Sequence, residues 1–181
     1  MLAQIPFVRL RNGMPSHLIG GKVGFSESIA LAHSFENKPH LKIDKKTRCI
    51  YANSVKVKMS SVNFSFYLWM IEQTVQLKQP IQRPYDIDRK DLVPATKYYV
   101  ESFLRIYESH SSEGERDKVS SILIKDGMSK SWLSERINGV KKSFEKVLES
   151  SLAHFYCIQT QGKNTNRSYF VALEEDQIEI V

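Results

Sequence analysis

Cysteine is scarce in this chain and long hydrophobic runs are absent, and both features exclude classes of protein. Only two cysteines, Cys49 and Cys157, occur among 181 residues. We therefore expect two buried thiols in a reducing cytosol rather than a disulfide or a metal site. No apolar run reaches the roughly 18–20 residues that a membrane span requires, and the N-terminus has no signal-peptide pattern. The sequence thus predicts a soluble, cytoplasmic protein without membrane contact.

Groups arranged for catalysis are also missing. The Gly-rich stretch at 20–24 lacks the Gly-Lys-Ser/Thr ending of a phosphate loop, and no paired carboxylates or histidine-based dyad stand out. The histidines are scattered without a spacing suited to a metal: His17, His33, His40, His110 and His154. We predict no catalytic residue, no metal ligand and no cofactor. Whether the chain is an enzyme stays open, with binding favoured over chemistry.

Basic residues exceed acidic ones by 26 to 20, which gives a net charge of +6 and a pI near 9.2. This balance favours a polyanionic partner. The excess is concentrated, because residues 38–58 carry seven basic side chains against one acid and residues 129–173 carry seven against three. The acids Glu174, Glu175, Asp176 and Glu179 lie in the last eight residues, and we expect them to lie away from any nucleic acid.

The chain divides into two predicted parts. Residues 1–37 form a small strand-turn-helix segment, in which Ile5 to Arg11 alternates as a strand does and Asn12-Gly13 marks a turn. Residues 38–181 begin with three short segments of period two, at 41–44, 48–51 and 55–58. We expect an antiparallel β-meander with valines facing a core and lysines facing solvent.

Helices dominate the rest of the second part. A serine at 60 or 61 caps a predicted core helix. Its apolar residues recur at helical spacing: Phe64, Leu68, Ile71 and Val75. Residues 80–111 supply a connector and an extra helix. A shorter helix is predicted at 115–125, with Val119, Ile122 and Leu123 inward, and Asp126-Gly127 ends it.

The helix predicted at 129–149 has the clearest periodicity in the chain. Its apolar stripe contains Leu133, Ile137, Val140, Phe144 and Val147/Leu148. The opposite face holds Ser131, Glu135, Asn138, Lys142 and Lys146, with Lys130 and Lys141 on the flank. We expect Gly139 on the solvent side, where it either permits close approach of a phosphate or is simply tolerated. A hairpin is predicted from Phe155 to Leu173, with a polar, basic tip at Gly162 to Arg167.

The order of these elements resembles a winged helix-turn-helix, in particular the effector domain of OmpR/PhoB-type response regulators. The matching pieces are Val55 to Ser60 entering Phe64 to Leu68, Leu133 to Ile137 with Val140 to Lys142, and the strands Tyr156 to Thr160 and Tyr169 to Val171. The connector and the extra helix depart from the compact pattern. The fold class that we predict is therefore α+β, an elaborated winged helix with an N-terminal β-meander and extra helices.

In such a module the exposed side of the helix enters the major groove and the wing contacts the backbone of duplex DNA. Asn138 then reads a base edge, while the lysines and Arg167 neutralise phosphates. The full predicted nucleic-acid-binding set is Lys130, Ser131, Asn138, Lys141, Lys142, Lys146, Lys163, Asn164 and Arg167. The competing interpretation is that these lysines form an ordinary solvated face.

A second resemblance covers nearly the whole chain. The stretches Ala3 to Pro15, Gly24 to Ser28 and Phe64 to Trp69 are similar to the C-terminal region of a CRISPR-associated family whose members carry an N-terminal CARF domain and are described as ring nucleases. The resemblance implies a role in type III CRISPR antiviral defence, where the CARF domain binds and cleaves cyclic oligoadenylate. No doubly wound βαβ pattern precedes Ile5, so we expect that half to be absent and transfer no catalytic residue.

The sequence therefore favours a CRISPR-associated accessory domain that binds nucleic acid. Two alternatives stay open. One is a dimerisation or protein-interaction module, in which the aromatics of Phe64 to Trp69 or the N-terminal segment supply an exposed apolar surface and form a homodimer. The other is a part of a nuclease that degrades cyclic oligoadenylate.

Overall fold

Five helices and two small sheets make up the described part of the chain, which is an α+β fold. A computed structural model of the protein describes residues 39–84, 93–163 and 166–181. The strands are β1 Leu41–Asp44, β2 Cys49–Ala52, β3 Val55–Val57, β4 Ile81–Gln82, β5 Ile158–Gln161, β6 Ser168–Val171 and β7 Ile178–Ile180. The helices are α1 Ser61–Ile71, α2 Val93–His110, α3 Glu113–Asp126, α4 Lys130–Glu145 and α5 Ser150–Tyr156. The segment predicted at 1–37 lies outside the described residues.

Helix α1 lies at the centre of the core, as predicted. It begins after Ser60, whose side chain accepts a hydrogen bond from the backbone N–H of Asn63. All eight residues from Phe64 to Ile71 are buried, and a helix that is buried all round belongs to a core. The aromatics of Phe64 to Trp69 therefore provide no exposed apolar surface, and that part of the dimerisation alternative was wrong. A π-helical segment, Glu72–Gln76, continues α1.

The predicted meander is confirmed and gains an unpredicted fourth strand. The order is β3-β2-β1-β7, in which β1 and β7 are parallel. Alternation is as expected, with Ile43, Ile50 and Val57 in the core and Lys56 exposed. Of the four acidic residues near the C-terminus, Glu179 lies in β7, and its Oε1 is 2.7 Å from Lys42 Nζ.

The predicted hairpin forms part of a three-stranded sheet of order β4-β6-β5. The register pairs Ile158 with Val171 and Ile81 with Tyr169. Strand β4 lies in the connector, where no strand was predicted. The predicted start of the hairpin at Phe155 was wrong. Phe155 and Tyr156 belong to α5, and the first strand of the hairpin begins at Ile158. An apolar run of four residues fits a strand or a buried helix equally well, so the pattern gave no way to choose.

Helices α2 and α3 follow the prediction with two differences. The break between them consists of Ser111 and Ser112 alone, because α3 begins at Glu113. Leu123 is buried as expected, whereas Ile122 is 51% exposed and was wrongly placed inward. The predicted turn after α3 is confirmed: Gly127 has φ 68°, and its N–H donates to the Leu123 carbonyl at 2.9 Å. Such a left-handed φ favours glycine.

Gly139 lies at the contact between α4 and α1, not on the solvent side as predicted. A Cβ atom at this position would lie 2.5 Å from Nδ2 of Asn63, a residue in the first turn of α1. The Asn63 side chain is itself held, because its Oδ1 accepts a hydrogen bond from Arg136 at 3.3 Å. The missing side chain therefore permits close approach of two helices rather than of a phosphate.

We expect Gly139→Ala to destabilise the fold by about 1 kcal/mol. Overpacking costs about 1–3 kcal/mol, and the better helix propensity of alanine offsets about 1 kcal/mol of that cost. In an Asn63→Ala background the clash is gone, so the same substitution should stabilise by about 1 kcal/mol. Urea unfolding of the four proteins of this double-mutant cycle measures the coupling. Equal stabilisation in both backgrounds would place Gly139 on an open face.

Candidate nucleic-acid interface

Helices α3 and α4 are joined by three residues, Gly127, Met128 and Ser129. A short turn containing glycine between two helices is the connection found in helix-turn-helix motifs. Met128 is buried at 1% exposure. Ser129 caps α4, since its side chain accepts a hydrogen bond from the backbone N–H of Trp132 at 3.2 Å. The point where α4 begins is thus held by both a buried side chain and a cap.

Aromatic contacts fix the rotation of α4 about its axis. Trp132 packs edge-on against Phe66 and Phe103, with ring centroids 5.7 and 5.3 Å apart. Phe144 contacts Tyr67 of α1 and stacks on Tyr156 of α5, at 5.3 and 5.6 Å. Because these rings lie at both ends of the helix, its inner face is set, and so is the face that it turns outward.

Helix α4 ends at Glu145 rather than at 149 as predicted, and its outer face together with the C-cap residue Lys146 carries six of the nine predicted binding residues. Ser131, Asn138, Lys141, Lys142 and Lys146 are exposed, and Lys130 is partly exposed. At about 100° per residue, Ser131, Asn138 and Lys142 lie within about 40° of one another around the helix axis. Ser131, Asn138 and Lys142 therefore share one surface of α4, as the periodicity predicted, with Lys130 and Lys141 on its flank.

Two glutamates on this face, Glu135 and Glu145, each form an ion pair with a different basic side chain. Glu145 Oε1 lies 3.6 Å from Lys141 Nζ, one turn away. Glu135 pairs with Arg136, whose side chain is only 16% exposed and also lies over the Trp132 ring. Neither Lys142 nor Lys146 forms an ion pair with any residue in the described ranges. These two ammonium groups are the ones most available to an anion.

The hairpin tip carries the remaining predicted residues. Lys163 is exposed, whereas Arg167 is partly buried and its backbone carbonyl accepts a hydrogen bond from Arg83 at 2.8 Å. The Nε atom of Arg167 is buried, and no described residue accepts a hydrogen bond from it. Asn164 lies outside the described residues. Of the tip, Lys163 is the side chain best placed to meet a phosphate.

Helix α5 separates α4 from the hairpin, which the sequence did not predict. Both α5 and β5 contact α4, so the hairpin lies beside the predicted binding helix. α5 also exposes His154 and Phe155, whose rings lie 6.3 Å apart, with Phe155 48% exposed. Sequence reasoning missed this aromatic pair because seven residues are too few for helical periodicity to stand out.

Comparisons with protein-family models, curated proteins and solved structures found no match. The resemblances to winged helices and to the CRISPR-associated family therefore stay predictions. Within the described ranges, no helix is long and apolar enough to cross a membrane. No group of three or more histidine, cysteine, aspartate or glutamate residues in that same part of the chain is arranged to hold a metal ion.

We expect Gly162→Ala to destabilise the hairpin by about 1–3 kcal/mol, because φ is +81° and the new Cβ would lie 2.2 Å from the Asn166 carbonyl oxygen. Gly114→Ala is the matched control, since nothing lies within 4 Å of a Cβ there, and helix propensity favours alanine by about 1 kcal/mol. Urea unfolding and amide exchange across β5 and β6 provide the measurement. A Gly162→Ala protein as stable as the wild type would mean that the tip does not constrain the hairpin.

Proposed function

We propose that the protein binds duplex DNA through the outer face of α4 and the β5–β6 hairpin, as an elaborated winged helix. The observation that carries the proposal is the contrast between the two sides of α4. Its inner side is fixed by Trp132 and Phe144, while its outer side presents Lys142 and Lys146 without ion-pair partners in the described residues. A rigid helix with an exposed basic face suits the major groove, which admits an α-helix.

Side chains on that face have separate roles. The exposed side-chain amide of Asn138 forms no hydrogen bond with a described residue, and it can donate and accept at an adenine edge. Lys142 and Lys146 lie to one side of it and Lys130 and Lys141 to the other, positions suited to phosphates that flank the groove. Lys141 contributes less, because Glu145 already neutralises part of its charge.

The hairpin supports the proposal as a second point of contact. An isolated two-stranded hairpin is marginally stable in water, but pairing of β4 with β6 gives this one a third strand. Lys163 at the tip then meets the backbone beside the groove that α4 enters. Helix α5 departs from the compact winged pattern, and its exposed Phe155 adds an apolar group next to this surface.

The protein should bind mixed-sequence duplex DNA at about micromolar affinity in low salt. If about five phosphates are contacted, affinity should fall several hundred-fold between about 50 and 200 mM salt. Lys142→Ala/Lys146→Ala should weaken binding by about tenfold to a hundredfold and reduce the salt slope by about 2, since each lost phosphate contact removes about 0.9 from it. Mobility shift and fluorescence anisotropy with a 30-base-pair duplex measure these quantities.

Lys56→Ala/Lys58→Ala is the charge-matched control for that experiment, because it removes two exposed lysines from the meander instead. It should leave duplex binding within about threefold of the wild type. Failure to bind any duplex at low salt, or equal loss in both double variants, would contradict the proposal.

A dimerisation module is the second candidate, and one observation favours it. Helix α3 exposes two large apolar side chains, Ile122 at 51% and Ile124 at 73%, which a partner could cover. In that case the chain would sediment as a dimer and bind no DNA. The role in CRISPR defence is a proposal of its own, because the stretches 3–15 and 24–28 lie outside the described residues. Turnover of cyclic oligoadenylate by this chain would favour the nuclease alternative instead.

A further inference from the structure

One tyrosine lies between lysines on the outer face of the four-stranded sheet. Strand pairing places Tyr51 opposite Lys42 on one side and opposite Lys56 on the other. Directly opposed residues on one sheet face have Cβ atoms about 4.5–5.5 Å apart. Because β2 is a central strand in the order β3-β2-β1-β7, the ring lies within the face and not at its edge.

The outer face of this sheet and its adjoining turn carry a concentrated positive charge. Its lysines are Lys42, Lys45, Lys46, Lys56 and Lys58, and the last four are exposed. The two acids already have partners. Asp44 accepts hydrogen bonds from the backbone N–H groups of Lys46 and Thr47, and Glu179 pairs with Lys42 at 2.7 Å. Five lysines against two acids still leave a net positive charge on this surface, which attracts an anion.

Tyr51 is not used to fill the core. The neighbouring residues Ile50 and Ala52 point inward and are buried, whereas Tyr51 is partly exposed. No other aromatic ring of the described residues packs against it. By contrast, Tyr67 and Tyr156 are buried. A partly exposed ring surrounded by lysines combines a stacking surface with phosphate-binding groups.

We propose that this outer sheet face binds single-stranded nucleic acid, with a base stacked on Tyr51 and the backbone phosphates paired with the surrounding lysines. Unpaired bases offer their faces to an aromatic ring, whereas the bases of a duplex are stacked on each other. The single strand is therefore the form that fits a site built on one exposed ring. The site uses different residues from α4 and does not depend on duplex binding.

The test is fluorescence anisotropy of a labelled twelve-nucleotide oligothymidylate with the full chain at about 50 mM salt. The wild type should bind in the micromolar range. Tyr51→Ala should weaken binding about tenfold, as expected for the loss of one stacked base, while Tyr51→Phe keeps the ring and should bind like the wild type. Lys56→Ala/Lys58→Ala should weaken binding about tenfold as well and make the salt slope shallower by about 1.4.

A gain of binding separates this proposal from a structural role of the same residues. Glu179→Gln removes a negative charge and releases Lys42, so it should tighten binding by about two- to eightfold at that salt concentration. Lys142→Ala/Lys146→Ala, which tests the duplex site, should leave binding of the single strand within about threefold. Loss of both activities in either double variant would mean that one shared surface binds all nucleic acid, and would overturn a separate site.

Cysteine labelling adds a readout that does not depend on any substitution. Cys49 was predicted to be buried, but it is partly exposed on the same sheet face, because its strand alternates and Ile50 faces the core. Cys157 is buried as predicted, and burial raises its pKa to about 11. Iodoacetamide should therefore modify Cys49 first, and saturating oligothymidylate should slow this reaction several-fold. No binding at 100 μM protein, unchanged affinity in Tyr51→Ala, or no protection of Cys49 by a bound strand would each overturn the proposal.

Discussion

Burial of α1 on every side is the constraint on which the rest of the structure depends. Its eight consecutive buried residues need partners in all directions, so α2, α4 and β6 each pack against a different part of it. Two side-chain hydrogen bonds hold α1 in a fixed orientation within this packing. Trp69 Nε1 donates to Ser102 Oγ, and the Tyr67 hydroxyl donates to the Tyr156 carbonyl. These bonds tie α1 to both α2 and α5. The aromatic residues of α1 thus organise the core and leave the surface to the elements around it.

This arrangement explains why two basic surfaces arise in separate places. Helix α4 turns its apolar side to α1 because Phe144 and Trp132 reach Tyr67 and Phe66, and its lysines are left outside. The meander turns Ile43, Ile50 and Val57 into the same core, and its own lysines are left outside. The helix offers a row of polar side chains to a groove, whereas the sheet face offers one aromatic ring between lysines. We therefore propose a different form of nucleic acid for each surface.

Most of the correct predictions came from segments with a strong local pattern in the sequence. The stripe of α4, the alternation of the meander, and the caps at Ser60 and Gly127 are local patterns, and the structure confirms each of them. The features that were predicted wrongly, or not at all, depend on contacts between residues far apart in the sequence. Nothing local in Gly139 reveals that Asn63 lies against it, and nothing in Ile178 to Ile180 reveals a parallel partner more than a hundred residues away. α5 was missed because Phe155 to Ile158 has no period to distinguish a helix from a strand.

The core fixes α4 with its basic face outward, and the central proposal is that this face binds duplex DNA. The most direct measurement is an NMR titration of the ¹⁵N-labelled chain with duplex DNA. Binding through α4 and the hairpin predicts amide shift changes at Ser131, Asn138 and Lys142 and across the β5–β6 tip, with little change at Glu101 and Arg105 on α2. A titration that leaves the α4 amides unchanged, or that shifts only α2, would contradict it.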